Sequence, residues 1–348
     1  MTARRLEFPP VVHTHGLSLR KGAFVSDFLA PSTLRAVSTG AEVPENGTLL
    51  LWGRSEAPHG VPSSVRIVRV EDGFLRSVGL GADLIRPMSL AFDTRGIYFD
   101  ATKPSDLEDL LQHASISDDL VARAKRLRER VVERGVTKYN VGGAPWVRPS
   151  EAKRVVLVPG QVETDASLAF GAPHLRRNLD LLKAVRALES DAYVVYKPHP
   201  DVVAGLRKRG DGEESASDFC DEVIVDAPMG ALLPVVDAVH VNTSQTGFEA
   251  LLRGKEVTCH GQPFYAGWGL TRDLAPCARR TRERSLDELV AAALLLYPTY
   301  VSARTGERTT AEDALDELDA AQHAGHSLLS RAFERAVRPL LRRLTRRA

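Results

Sequence analysis

Five short segments combine titratable side chains with glycine or proline, each directly after a run of strand-like residues. The first is Glu71-Asp72-Gly73-Phe74-Leu75-Arg76-Ser77. Two adjacent carboxylates before a glycine suit general acid/base work or the gripping of a substrate. Asp-Gly is also a common turn dipeptide, so a plain turn accounts for the same residues. The second is Val158-Pro159-Gly160-Gln161-Val162-Glu163-Thr164-Asp165-Ala166-Ser167. Gly160 lets the backbone turn or approach a ligand closely. Asp165 can serve as a nucleophile toward an anomeric carbon or as the N-cap of the next helix.

The third segment, Lys197-Pro198-His199-Pro200, holds a histidine rigidly between two prolines. His199 can donate a hydrogen bond to a phosphate or act as an acid near neutral pH. Lys197 adds a cation suited to phosphate or carboxylate. The fourth begins Asn242-Thr243-Ser244-Gln245-Thr246-Gly247-Phe248-Glu249. A strand ending in hydroxyl residues and glycine before a helix makes an anion site, with Ser244 and Thr246 as added donors. Glu249 is placed to accept from a ribose, or simply to complement the helix dipole. The Gly-Lys-Ser/Thr ending of a Walker loop is absent. The fifth, Gly261 to Thr271, carries Phe264, Tyr265 and Trp268 in a loop. Those aromatics serve as a base- or sugar-facing wall or as packing against another domain. No Asp-x-Asp occurs, which disfavours a nucleotide held through a carboxylate-bound metal.

The elements that position these segments alternate strand and helix. Leu49–Trp52, Val65–Val70 and Ile97–Asp100 are predicted strands in the first half. Helices follow over Pro104–Leu111 and Asp118–Arg134, the former opened by cap-forming residues. Gly135–Ser150, rich in glycine and proline, reads as a connection between domains. The second half has strands at Val155–Val158, Tyr193–Tyr196, Glu222–Asp226, Ala238–Val241 and Val257–His260. Its helices are expected over Leu175–Leu188, from Gly247 to Arg253, and over Ser285–Leu296. This alternation predicts an α/β protein with parallel sheets and helices on both faces. Ligands in such sheets bind at the carboxyl ends of the strands, where all five segments lie.

Composition bounds the function. The 348 residues give two domains of ordinary size as a first expectation. Hydrophobic residues are 43% and charged residues 26%, the balance of a globular protein with ample core. A net charge of +1 argues against a dedicated nucleic-acid binder. No apolar run reaches the roughly 18 residues of a membrane span. Met1–Lys21 lacks the apolar stretch of a secretory signal. The cysteines Cys220, Cys259 and Cys277 make no disulfide framework and lack zinc spacing, so a reduced, cytoplasmic protein is expected.

Taken together, VEDGFLRSVGLGADLIRP, RGIYFDATKPSDLE, KYNVG, VPGQVETDAS, YKPHPD, TSQTGFEALLRGK and GQPFYAGWGLT, in that order between about residues 50 and 310, resemble one family. It is the bacterial capsular polysaccharide Kdo transferases of the KpsC/LipA type. The resemblance implies a GT-B-like fold, two Rossmann-like domains facing across a cleft. It implies residues 1–150 as the acceptor-side domain, 151–310 as the CMP-sugar-binding domain and 311–348 as a helical segment with a basic tail. It also implies transfer of β-Kdo from CMP-Kdo to a lipid-linked, phosphatidylglycerol-terminated oligo-Kdo acceptor, with no metal or other cofactor. Asp165 becomes the nucleophile, favoured because many relatives carry another acid where this chain has Thr164, with Glu163 in reserve. Glu71 and Asp72 become acid/base candidates. His199, Lys197 and Pro200, with Gly160, Gln161, Ser244, Thr246, Gly247 and Glu249, become the CMP-sugar site. Arg76, Tyr265 and Trp268 become acceptor- or cleft-lining residues.

Well-known relatives carry two such modules in tandem, and the likeness here covers one, which leaves the acceptor open. A transferase for another CMP-activated ulosonic acid, or a silent assembly subunit of a capsule machine, are the alternatives. The net charge divides unevenly. Arg331–Ala348 holds seven arginines and one glutamate, while the remainder carries 39 basic and 44 acidic residues. Phe333, Val337, Leu340, Leu341 and Leu344 recur there at helical spacing, although Pro339 interrupts them. A basic amphipathic helix of this kind lies on an anionic inner membrane; a solvated, frayed terminus is the other account.

Overall fold

The structure, a computed structural model, describes residues 6–77, 86–138 and 145–324. The strands in chain order are β1 (Val11–His15), β2 (Thr33–Ala36), β3 (Thr48–Trp52), β4 (Arg66–Asp72), β5 (Ser89–Asp93), β6 (Val155–Pro159) and β7 (Tyr193–Lys197). They continue with β8 (Glu222–Val223), β9 (Ala238–Val241), β10 (Glu256–Cys259), β11 (Arg272–Asp273), β12 (Pro298–Val301) and β13 (Arg308–Thr309). The helices are α1 (Leu19–Leu29), α2 (Asp106–His113), α3 (Asp118–Glu133), α4 (Ala166–Gly171) and α5 (Asn178–Leu188). After them come α6 (Pro200–Val203), α7 (Met229–Leu232), α8 (Gln245–Leu252), α9 (Leu286–Val290) and α10 (Ala311–Ala324).

Two sheets organise two lobes. The second, in the order β11-β10-β9-β6-β7-β8, is parallel throughout. Its central strands are buried on both faces, and the uninterrupted apolar run Val155–Val158 follows from that. The first sheet runs β13-β12-β5-β4-β3-β1-β2. Strands β2, β1, β3 and β4 are parallel, while β5, β12 and β13 extend it antiparallel. The fold is therefore α/β with two sheets rich in parallel pairs, as the strand–helix alternation predicts.

Several elements differ from the sequence reading. Strands β12 and β13, placed by number in the second domain, belong to the first sheet: Pro298 pairs with Ala91 and Tyr300 with Ser89. Where the chain crosses back, Arg128 binds Asp287 at 2.7 Å and Arg123 grips Glu312 at 2.7 and 2.8 Å, tying α9 and α10 to α3. Ile97–Asp100 is a turn, and the strand in that region is β5. The turn is organised by buried Asp93, which accepts from the N–H groups of Arg95, Gly96 and Asp106 at 2.8–2.9 Å. Tyr98 instead joins an aromatic cluster between the lobes, 4.8 Å from Phe74, which also meets Phe264 at 4.3 Å and Phe248 at 6.0 Å. Helix α5 begins at Asn178, three residues later than expected. Helix α9 passes into a π-helical segment, Ala291–Leu296.

Among the described residues no helix is long and apolar enough to cross a membrane. The basic tail Arg331–Ala348, most of KYNVG and residues 78–85 of the first motif lie outside the described residues.

Candidate active site

The winding of the second sheet selects the crevice. From β6 the chain moves outward to β7 and β8, and from β9 outward to β10 and β11, so the direction reverses between β6 and β9. Ligands in open α/β sheets sit outside the carboxyl ends of the strands at such a switch point. Gln161, just after β6, and Thr243, just after β9, close it from both sides. Thr243 N–H donates to Gln161 Oε1 and Gln161 Nε2 to Thr243 Oγ1, both at 3.0 Å. Asn178 fixes Gln161 in turn, accepting from its N–H and donating to its carbonyl, each at 2.9 Å. Gly160 is required by close packing, since a Cβ there would stand 2.5 Å from the Tyr196 hydroxyl. Buried Asn242 has an Oδ1 that meets no hydrogen-bond donor among the described residues.

His199 ends the β7 segment as N-cap of the short helix α6, with Pro200 in its first turn. Its Nδ1 accepts from Asp201 N–H at 3.1 Å. That bond puts the ring proton of the neutral form on Nε2, which becomes a fixed donor. Burial first, then the nearby charge of Lys138, lowers its pKa to about 4, against the opposing pull of Asp165. At neutral pH His199 is therefore a neutral hydrogen-bond donor. Asp165, exposed, caps α4 by accepting from Ser167 N–H at 2.9 Å. Its charge is felt both by His199 and by Tyr98 of the other lobe. The capping role is thus the one its contacts show. Glu163 is engaged elsewhere: its two oxygens accept from the N–H groups of Asn178 at 2.8 Å and Asp211 at 2.9 Å.

Opposite this crevice stands the end of β4. Glu71 is half-buried, and its Oε1 accepts from Asp72 N–H at 3.0 Å. Burial and the neighbouring Asp72 carboxylate raise its pKa to about 7, with Lys21 and Lys138 pulling the other way. Asp72 is paired with buried Arg76, Nε to Oδ2 at 2.6 Å. Tyr98, its phenol pushed up by burial, donates to the Asp72 carbonyl at 3.0 Å. Gln245 Nε2 reaches across to the Phe74 carbonyl at 2.9 Å, joining the second lobe to this turn.

Several expected contacts resolve differently. Lys197 is buried, and its ammonium donates to the Val225 carbonyl at 3.2 Å beyond β8. Ser244 caps α8, accepting from Thr246 N–H at 3.2 Å and donating to Thr246 Oγ1 at 3.1 Å. Gly247 is there for packing, since a Cβ would meet the Tyr265 hydroxyl at 2.2 Å. Glu249, buried and held toward its neutral form by that burial, accepts from Lys138 N–H at 2.7 Å and so ties the inter-lobe connection to α8. Tyr265 and Trp268 are not cleft-lining: both are 0% exposed. The Tyr265 hydroxyl donates to the Ser244 carbonyl and Trp268 Nε1 to the Phe264 carbonyl, so the loop aromatics are core.

Sequence reasoning missed Lys21, Tyr98, Lys138 and Asn242 as site residues. Lys138 acts electrostatically on Glu71 and Tyr98 of one lobe and on His199 and Glu249 of the other. Its place at the head of KYNVG was a usable signal; Lys21, some fifty residues from its carboxylate neighbours, gave none.

Comparison with known proteins places the chain in a family. Residues 48–144 and 125–308 match the family described as capsule polysaccharide biosynthesis protein. The chain is 43% identical over 313 residues to the capsule polysaccharide modification protein LipA of Neisseria meningitidis, covering 86% of this chain and 44% of LipA. It thus spans less than half the length of that relative. Among solved structures it is similar to the β-Kdo 2,7 transferase of Thermosulfurimonas dismutans KpsC, with 40% identity and a TM-score of 0.75, covering 90% of this chain and 100% of that one. The β-Kdo 2,4 transferase of the same KpsC gives 33% identity and a TM-score of 0.78, over 88% and 98% of the two chains. At these identities the similarity covers both lobes and the GT-B-like arrangement.

Proposed function

This chain belongs to the family of capsule polysaccharide biosynthesis proteins, and from that premise we propose that it is a retaining glycosyltransferase moving β-Kdo from CMP-Kdo to a Kdo-terminated, lipid-linked acceptor. One observation carries the proposal. A carboxyl titrating at about 7 on the first lobe and a neutral imidazole donor on the second share the field of Lys138.

In the first step the Asp165 carboxylate attacks the anomeric carbon of CMP-β-Kdo. The bond to the phosphate oxygen breaks and CMP leaves with the electron pair. His199 Nε2–H hydrogen-bonds the departing phosphate, and Lys138, in place of Lys197, supplies the positive charge. In the second step an acceptor hydroxyl gives its proton to Glu71, attacks the same carbon, and releases Asp165. Two inversions retain the β configuration. Asp72, neutralised by Arg76, is the weaker of the two base candidates.

The test is incubation of the full chain with CMP-Kdo, generated in situ, and a Kdo-terminated acceptor analogue, followed by NMR of the product. A β-linked Kdo is expected; an α linkage would contradict retention, and no transfer would contradict the activity. The proposal extends to a peripheral place on the inner membrane through Arg331–Ala348. Deleting that tail is expected to abolish binding to anionic vesicles, and unchanged binding would refute it.

A further inference from the structure

Helix α4 carries Asp165 at its N-cap, and of its six residues only Leu168 and Gly171 are buried. A helix of that length does not hold itself in place, so its neighbours decide where Asp165 stands. Some of them belong to its own lobe. Thr243 Oγ1 donates to Ser167 Oγ at 3.3 Å, and Gln262 N–H donates to the Gly171 carbonyl at 2.7 Å. Others come from the first lobe. The Arg54 guanidinium lies over the Phe170 ring, 4.5 Å from its centre. A Cβ on Gly171 would stand 3.3 Å from the Phe99 carbonyl, so the end of α4 packs directly on the Ile97–Asp100 turn.

Arg54 is itself held firmly. Arg69 of β4 donates through Nη1 to the Gly53 carbonyl at 2.6 Å and to the Ser55 carbonyl at 3.1 Å, which brackets the Arg54 backbone. Arg54 Nη1 stands 2.9 Å from Oδ2 of Asp100, whose side chain is fully buried. Asp100 Oδ1 accepts from the N–H and Oγ1 of Thr102 at 2.9 and 2.5 Å. Arg279 of the second lobe donates to the neighbouring Ala101 carbonyl at 2.7 Å. A guanidinium keeps its charge at any working pH, and its planar face stacks on an aromatic ring. Arg54 thus presents a fixed cationic plate to a helix that lacks much anchorage of its own. We infer that Arg54 is a positioning residue for the nucleophile: stacked on Phe170, it fixes α4 from the opposite lobe and so sets where the Asp165 carboxylate meets the anomeric carbon. This rests on the Asp165 mechanism proposed above and adds a residue that acts on it across the cleft.

The rates of Asp165 adduct formation and of Kdo transfer by the full chain, each expressed per CMP-binding site, test it. Phe170→Leu keeps the Arg54–Asp100 pair and the apolar bulk but removes the ring face. It is expected to lower both rates about tenfold, with CMP affinity and the acceptor KM unmoved. Arg54→Met is expected to do the same, and the double variant to be no slower than the slower single one, because both changes remove one contact. Arg54→Lys, which keeps a cation for the ring and for Asp100, is expected to recover most of the rate. Arg54→Met also strands the buried Asp100 carboxylate, and if it does not fold, Phe170→Leu alone decides. Wild-type rates in Phe170→Leu, losses that multiply in the double variant, or a loss carried by CMP affinity overturn the inference while Asp165 keeps its role. Full transfer by Asp165→Ala overturns the nucleophile, and this inference with it.

Discussion

Glu71 on the first lobe and His199 on the second are both desolvated, and the same physical cause gives them opposite uses. Burial disfavours a charge of either sign. It lifts the Glu71 carboxyl to about 7 and drops the His199 imidazole to about 4. The first is then poised to gain and lose a proton at working pH. The second is locked neutral, with its proton directed by the Asp201 bond. In the proposed reaction, proton transfer thus sits with the first lobe and hydrogen-bond donation with the second. A histidine and a carboxylate in a cleft do not take these roles by residue type; their surroundings assign them.

The largest expected effect tests the first half of that contrast. Glu71→Gln should lower kcat by about two to four orders of magnitude while leaving CMP affinity intact. With wild-type enzyme, transfer should fall as pH drops through about 7, because the protonated carboxyl accepts no proton. Binding of a CMP phosphodiester, which lacks the second phosphate ionisation of free CMP, should stay flat over pH 5–9, because His199 stays neutral there. Calorimetric titration beside rate measurements over pH 5–9 would separate the two, since pH profiles that move together would break the comparison.

A smaller effect tests the second half. His199→Ala should weaken CMP binding about tenfold through loss of the fixed donor. The same change should cost about 1 kcal/mol of stability through loss of the α6 cap. His199→Asn, which can still cap, should recover the stability but not the affinity. Recovery of both would reduce His199 to a cap.

The smallest effect concerns stability alone, and its sign is opposite to that on rate. Glu71 has a folded pKa above its unfolded one, so the unfolded chain binds fewer protons between about 4.5 and 7. Stability is therefore lost as pH rises through that window. Glu71→Gln should then melt higher than wild type at pH 8, by on the order of 1 kcal/mol, and match it near pH 4. A variant less stable at pH 8 would mean that Glu71 is a structural residue.

Much of this was legible in the residues. Val155–Val158 and Tyr193–Tyr196 declared themselves as strands because parallel strands buried on both faces need continuous apolar runs, and Ala238–Val241 did so despite His240. The segments after them then fell into place. Ile97–Asp100 misled because Tyr98 serves the aromatic cluster between the lobes, and a short apolar run does not reveal what buries it. Tyr265 and Trp268 misled in the same way: aromatics among glycines read as an exposed wall, yet Gly247 makes room for the Tyr265 hydroxyl and the loop folds inward. The motif lysine Lys197 was legible, but its reach to Val225 depends on the β7–β8 pairing, which spacing alone does not fix. Lys21 joins Glu71 only because β1, β3 and β4 lie side by side, a fact of topology with no local signature.

Double displacement through Asp165 is the centre of the account, and mass spectrometry tests it most directly. The full chain would be acid-quenched during turnover with CMP-Kdo and then digested for mapping. The account predicts a mass increase of one Kdo on the peptide containing Asp165, absent in Asp165→Ala together with transfer. Full transfer by Asp165→Ala, or a Kdo adduct mapped to another residue, would contradict it.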